Sequence, residues 1–187
     1  MKHTLVALVQ DKPGVLNRVA SLFRRRAFNI ESLTVGHTDQ PHVSRMTIVI
    51  DSDNTSAQLV EANLAKLVNV IDIQDVTQQE TISRDLALIK VRVDAAGRAE
   101  IAQLAEIFRA KIVDVANDSV VVEATGDEDK IDGLVELLRP KGILEMVRTG
   151  RIAMVRGNQA RKNTNGHYNG NGNGNGHVAR DVGLSSV

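Results

Sequence analysis

The chain has 187 residues, with 23 Lys plus Arg against 23 Asp plus Glu and no cysteine. That length holds one ordinary domain or two small ones, the balanced charge offers no basic field for nucleic acid or an anionic membrane, and the missing thiols exclude disulfides, thiolate catalysis and Cys-ligated metal centres. With hydrophobic residues at 42% and aromatics at 2%, the core must be built from Val, Ile, Leu and Ala, base-stacking platforms are not expected, and a reducing cytoplasm is the expected compartment.

Met1-Lys2-His3 and the short apolar run Thr4 to Val9 lack the form of a signal peptide, and no stretch reaches the ~18 apolar residues a membrane span needs. Leu5, Ala7 and Val9 alternate with Val6 and Leu8, which predicts a strand buried on both faces. Asp11-Lys12-Pro13-Gly14 stops it. Val15, Leu16, Val19, Leu22 and Phe23 then recur at helical spacing, and Arg24-Arg25-Arg26 follow where cations offset the helix C-terminal dipole. Asn29 to Thr38 is β-rich, His37 to His42 is a polar connection, and Met46, Ile48 and Ile50 alternate in the next strand. Asp53-Asn54-Thr55-Ser56 reads as a capping cluster for a helix carrying Val60, Leu64 and Leu67, and Ile71 and Ile73 alternate in a final strand. The order is βαββαβ.

A second block repeats it. Leu86, Leu88, Val91 and Val93 lie in a strand, Ile101, Leu104, Ala105 and Phe108 form a helical stripe, and Ile112 to Val115 and Val120 to Ala124 flank an Asn117-Asp118 turn. Ile131, Leu134, Val135 and Leu138 make another helical stripe before a strand from Ile143 to Val147. The expected fold is therefore α+β: two consecutive ferredoxin-like domains, residues 1–80 and 84–156, each with two helices on one face of a four-stranded antiparallel sheet. At about 75 residues each block is near the size where one core is marginal, so a sheet face or edge is expected to pair with another copy. From Gly157 onward the last 31 residues hold seven Gly and seven Asn, a composition that predicts a disordered tail, 157–187.

The segment richest in chemistry is Asp11-Lys12-Pro13-Gly14-Val15-Leu16. Proline prepares the first helical turn, glycine keeps the backbone open, and the unpaired N–H groups of a helix start suit an anion such as a carboxylate. Asn29, opening the next strand, is expected near the same loop and offers both a donor and an acceptor. An α-amino acid needs amide donors for its carboxylate and oxygen acceptors for its ammonium. The same turn is also a common helix start with no ligand.

Asp11-x-Pro13-Gly14-x-Leu16 resembles the signature of ACT domains, small ligand-sensing modules. Asn29-Ile30-Glu31-Ser32-Leu33-Thr34-Val35 and Ser44-Arg45-Met46-Thr47-Ile48 resemble, more narrowly, the small regulatory subunit of acetolactate synthase (acetohydroxyacid synthase). Glu106 to Val115, Thr125-Gly126, Lys130-Ile131-Asp132, Leu137-Leu138-Arg139-Pro140 and Arg148-Thr149-Gly150 resemble that family's second domain. Lys141 departs from it, standing where the family often has an aromatic. The resemblance implies a non-catalytic subunit that activates a large catalytic subunit and confers feedback inhibition by valine in branched-chain amino-acid biosynthesis. It implies a homodimer through ACT domains, with valine held by Asp11, Gly14, Val15, Leu16, Asn29 and Ile30, some from each protomer. Thiamine diphosphate, Mg²⁺ and FAD would sit on the catalytic partner, with no cofactor on this chain.

Other readings compete. His37, Asp39 and His42 fall within six residues, but a polar connection is a poor metal cradle. Asp127, Glu128 and Asp129 precede a helix and suit its dipole better than acid–base work. A stand-alone ACT-type amino-acid sensor is one alternative. An RNA-binding module is another, but it needs aromatics on the central strands and Thr4 to Val9 and Val43 to Ile50 contain none. A small enzyme on this scaffold would need convergent titratable groups.

Overall fold

A computed structural model describes residues 1–51, 57–94 and 97–157. The expected capping cluster Asp53 to Ser56 and, beyond Gly157, the expected tail lie outside the described residues.

The first domain runs β1 (Lys2–Gln10), α1 (Val15–Arg25), β2 (Ile30–His37), β3 (Val43–Asp51), α2 (Ala57–Ala65) and β4 (Val70–Asp75). Its antiparallel sheet has the order β2-β3-β1-β4. The second runs β5 (Thr81–Arg92), α3 (Gly97–Ile107), β6 (Lys111–Val115), β7 (Ser119–Gly126), α4 (Glu128–Gly142) and β8 (Ile143–Arg148), with the matching order β6-β7-β5-β8. These are two ferredoxin-like domains.

Strand parity sorts the residues. Leu5, Ala7 and Val9 of β1 and Met46, Ile48 and Ile50 of β3 turn toward Val15, Val19, Leu22 and Phe23 of α1 and Val60 and Leu64 of α2. Burying each such large side chain contributes about 1.5–3 kcal/mol. Leu16, expected in the α1 stripe, is instead 47% exposed. It lies one residue, or about 100°, from the i, i+4, i+7, i+8 face that Val15, Val19, Leu22 and Phe23 occupy. The helix ends in Arg24 and Arg25, where their charges suit the dipole. Ala27, at φ 54°, then turns the chain, and Phe28 packs edge-on against Phe23.

In the second core Ala87, Ile89, Val91 and Val93 face Ile101, Ala105, Ile131, Leu134 and Leu138. Leu86 and Leu88 lie in the same strand but on the opposite face, where Leu88 is 38% exposed. Asp127 caps α4 by accepting from the Lys130 amide at 3.0 Å. At the departure noted above, Lys141 Nζ meets Glu100 Oε1 at 2.5 Å and ties α4 to α3.

One strand is absent from the expected order. β9 (Ile152–Val155) pairs with Thr81–Arg84, an extension of β5 three residues ahead of the expected second block. Its face carrying Ala153 and Val155 packs on Val6 and Val76 of the first domain. That explains why β1 is buried on both faces at Val6, and why Thr47 and Val49 on the same side of the sheet are also sealed.

Candidate functional site

Gly14 stands at φ 85° as the residue before α1, with no side-chain cap. That left-handed conformation costs glycine nothing and most other residues about 1–2 kcal/mol. A Cβ placed on Gly14 would meet nothing within 4 Å, so the approach to the helix start is open. The Val15 amide is taken by Lys12 O at 3.3 Å and the Arg18 amide by Gly14 O at 3.0 Å. Between them, the Leu16 and Asn17 amides have no hydrogen-bond partner among the described residues. Two N–H groups unpaired among the described residues stand at the positive end of an 11-residue helix, the type of donor set an anion accepts from.

The expected residues divide unevenly around this site. Val15 is 5% exposed and belongs to the core, so it positions the turn. Leu16 contributes its exposed side chain and its amide. The Asp11 amide is anchored on His42 O at 2.8 Å, and its half-exposed carboxylate stands 3.4 Å from His37 Nδ1. Asp39 and His42 do not join that pair, and no grouping of three or more His, Cys, Asp or Glu that could hold a metal occurs among the described residues.

Asn29 and Ile30 are not beside this loop, contrary to the expectation for Asn29. Ile30 lies opposite Ile50, and Ile50 opposite His3, whereas Asp11 follows Gln10, whose partner is Val43. His3 and Gln10 are seven residues apart, so at about 3.3 Å per residue the two ends of the sheet are roughly 23 Å apart. The antiparallel register forces this, because β2 starts where β1 starts. Asn29 is exposed, and Ile30 is partly buried against the first core. β2 itself is an edge strand, with one side paired to β3 and the other unpaired among the described residues.

At the Asn29 end, the two domains meet in a charged cleft of about 660 Å³. Lys2 Nζ contacts Glu128 Oε1 at 2.9 Å and Glu31 Oε2 at 3.1 Å, and Arg151 pairs with the other oxygen of Glu128. The hydrogen bond from Lys2, aided by the charge of Arg151 and opposed by partial burial, holds the Glu128 carboxyl below its ordinary range. Bonds to Glu128 and Glu31 raise Lys2. Arg148 donates to Asp85 Oδ2 from Nε at 3.0 Å and from Nη2 at 2.6 Å, and from Nη1 to Asp132 Oδ1 at 2.6 Å. Burial alone would lower the Arg148 guanidinium, and these bonds more than offset it. Gly150 presses on β2 so closely that a Cβ would collide with Thr34 Oγ1 and lie 2.7 Å from Ser32 Oγ. The Arg151 amide donates to Ser32 Oγ at 3.0 Å.

This seam went unread in the sequence. Glu128 looked like a dipole partner for α4, and the residues it meets are distant in the chain. The only signal was the Arg148-Thr149-Gly150 resemblance. Chemically, the seam clamps two domains, and the α1 start presents amide donors of the kind a carboxylate accepts from.

Comparisons with known proteins agree on one family. A family model described as an acetohydroxyacid synthase (AHAS) small subunit-like ACT domain matches residues 5–72, and one described as the small subunit of acetolactate synthase matches residues 84–157. A probable acetolactate synthase small subunit of Archaeoglobus fulgidus is 52% identical over 159 residues, spanning 85% of this chain and 99% of that protein. The acetolactate synthase small subunit of Mycolicibacterium smegmatis is 48% identical over 155 residues, spanning 83% and 91%. The crystal structure of the Thermotoga maritima small subunit superposes with a TM-score of 0.78 at 40% identity, covering 84% of this chain and 99% of that one.

Proposed function

We propose, from the premise that the chain belongs to the small-subunit family of acetolactate synthase, that it activates the large catalytic subunit and makes it sensitive to valine. Its role is regulatory. Thiamine diphosphate, Mg²⁺ and FAD are assigned to the partner.

The observation that carries the effector reading is the uncapped start of α1 beside the unpaired edge of β2. Valine is a zwitterion. The Leu16 and Asn17 amides suit its carboxylate, and Asp11 Oδ suits its ammonium. The side chain of Leu16, exposed at the turn, suits its isopropyl group. Asn29 and Ile30 complete the site only from a second copy. Antiparallel pairing of two β2 edges about a two-fold axis at Thr34 keeps each sheet face continuous. It sets Leu33 against Val35 of the second copy and Glu31 against its His37. The same register carries Asn29 past the end of β2 to the turn that holds the second copy's Asp11 and Gly14. The 23 Å gap within one chain thus becomes a contact between two, and two equivalent valine sites result.

Reconstitution with the catalytic subunit of the same organism tests this. Acetolactate formation should rise on adding the full chain and fall when valine follows. The chain alone should form none, because nothing in it replaces the carbanion chemistry of thiamine diphosphate. A catalytic subunit whose rate and valine response are both indifferent to the chain would refute the assignment.

A further inference from the structure

A second hollow lies on the face of the first sheet away from its helices, between β2–β3 and the ribbon made by β5 and β9. Its volume is about 350 Å³, within the range of small-molecule sites. Ribbon parity puts Ile82 and Arg84 of β5 on the same side as Ile152 and Met154 of β9, the exposed side opposite Ala153 and Val155, and all four border the hollow where the ribbon's outer side meets the β2–β3 sheet. The sheet contributes Arg45, opposite Gly36 and two residues along β3 from the Thr34–Thr47 pair.

The charge is one-sided. Arg45 and Arg84 both line the hollow, and neither forms an ion pair with a carboxylate among the described residues; Arg45 donates to Ala153 O and Arg84 to Ser83 O. No Asp or Glu lines this hollow. Asp39 lines an adjoining one that shares His37, Arg45 and Met154, but it pairs with neither arginine. Contrast this with the α1 start, where donors for a carboxylate have Asp11 beside them for an ammonium. Apolar walls with two guanidinium groups and no acid select an anion with an aliphatic body, and they disfavour a zwitterion, whose ammonium would face two like charges.

We propose that this hollow binds a short aliphatic monocarboxylate without an amino group, its chain against Ile82, Ile152 and Met154 and its carboxylate on Arg45 and Arg84. It is a site distinct from the valine site and stands whether or not that reading holds.

The probe is 4-methylpentanoate, titrated into the full chain by calorimetry beside two molecules of the same skeleton: 4-methylpentanamide, which lacks the charge, and leucine, which adds the ammonium. Saturable binding of the acid is expected, with the amide and leucine at this site each weaker by at least about tenfold. Arg84→Gln should weaken the acid by a similar factor, and Met154→Glu, which brings a carboxylate to the arginines, should abolish it. Having both variants guards against misfolding of either, checked by circular dichroism. Gly14→Asp, which alters the α1 start, should leave acid binding unchanged while weakening valine at least about tenfold, so the two sites fail independently. No saturable binding by the wild-type chain at about 20 mM acid, equal affinity for acid and amide, or indifference to both folded variants would overturn the proposal. A hollow filled by a second copy of the chain would register as the first of these.

Discussion

In the first domain α1 begins after Gly14 at φ 85°, with no side-chain cap and two free amides. In the second, α3 begins at Gly97, whose amide donates to Asp94 Oδ1 at 2.6 Å. Both loops place an aspartate three residues before a glycine, yet the two aspartates do different work. Asp94 folds back as a cap; Asp11 turns away to His37. A helix start that supplies its own anion has no vacancy for another, and one that does not is ready for a ligand carboxylate. The domains share a strand order and differ in how the loops before α1 and α3 treat the helix start. Their outer sheet faces differ as well: Val6, Thr47 and Val49 are sealed under residues 149–155, whereas Leu88 and Val147 on the second sheet are 38% and 57% exposed.

The largest effect is expected where the first sheet is covered. Gly150→Val would drive a side chain into Thr34, Ser32 and the Leu33 carbonyl, and overpacking of this kind costs about 1–3 kcal/mol. Urea unfolding should show that loss, and a variant as stable as the wild type would mean the seam is looser than described.

Next comes Gly14→Asp. Aspartate tolerates φ > 0 better than most residues, and its Cβ meets nothing, so the variant should fold. Its carboxylate would occupy the free amides as Asp94 does in the second domain. Valine affinity should fall at least about tenfold, or ~1.4 kcal/mol. Unchanged valine affinity by calorimetry in the folded variant would place the ligand elsewhere.

Asp94→Ala should be felt in stability alone, by about 1 kcal/mol for a lost helix cap and a fall of about 2–4 °C in Tm. Asp11→Ala, which removes only an exposed pair with His37, should cost less. Thermal scans of the two variants invert the comparison if Asp11 proves the more stabilising.

The smallest effect is electrostatic. Glu128 is held below its usual 4.5 chiefly by Lys2, so its contribution to the seam is present above pH 4.5 and fades as pH falls through the lowered value. Lys2 is raised above 10.5, so its contribution is full below pH 10.5 and fades as pH rises through the raised value. The stability of the full chain should therefore be flat in this respect between those limits, and Glu128→Gln should shallow the acid limb of a pH series of urea midpoints. An unaltered acid limb would show the pairing to be without consequence at the surface.

Most of the architecture was legible because amphipathic periods are local. Val15, Val19, Leu22 and Phe23 at helical spacing, or Met46, Ile48 and Ile50 at period two, declare their elements without reference to the rest of the chain. Leu16 misled because apolar type does not reveal phase when neighbouring positions are both apolar. β9 was missed because four apolar residues carry no period that separates a strand from a loop, and its partner, Thr81–Arg84, straddles the gap between the two expected blocks. The helix start at Gly14 was readable from Pro13-Gly14. Its separation from Asn29 was not, since that depends on strand register, which β1, β2 and β3 settle only together.

The central claim is that valine is held at the start of α1 and not at the corresponding point of the second domain. Amide chemical shifts of the isotope-labelled full chain, followed through a valine titration, test it most directly. The Leu16 and Asn17 amides should move and saturate, joined by Asn29 and Ile30 at the same valine concentration, while Gly97 and Arg98 stay in place. Saturating shifts at Gly97 with none at Leu16 and Asn17 would contradict the account.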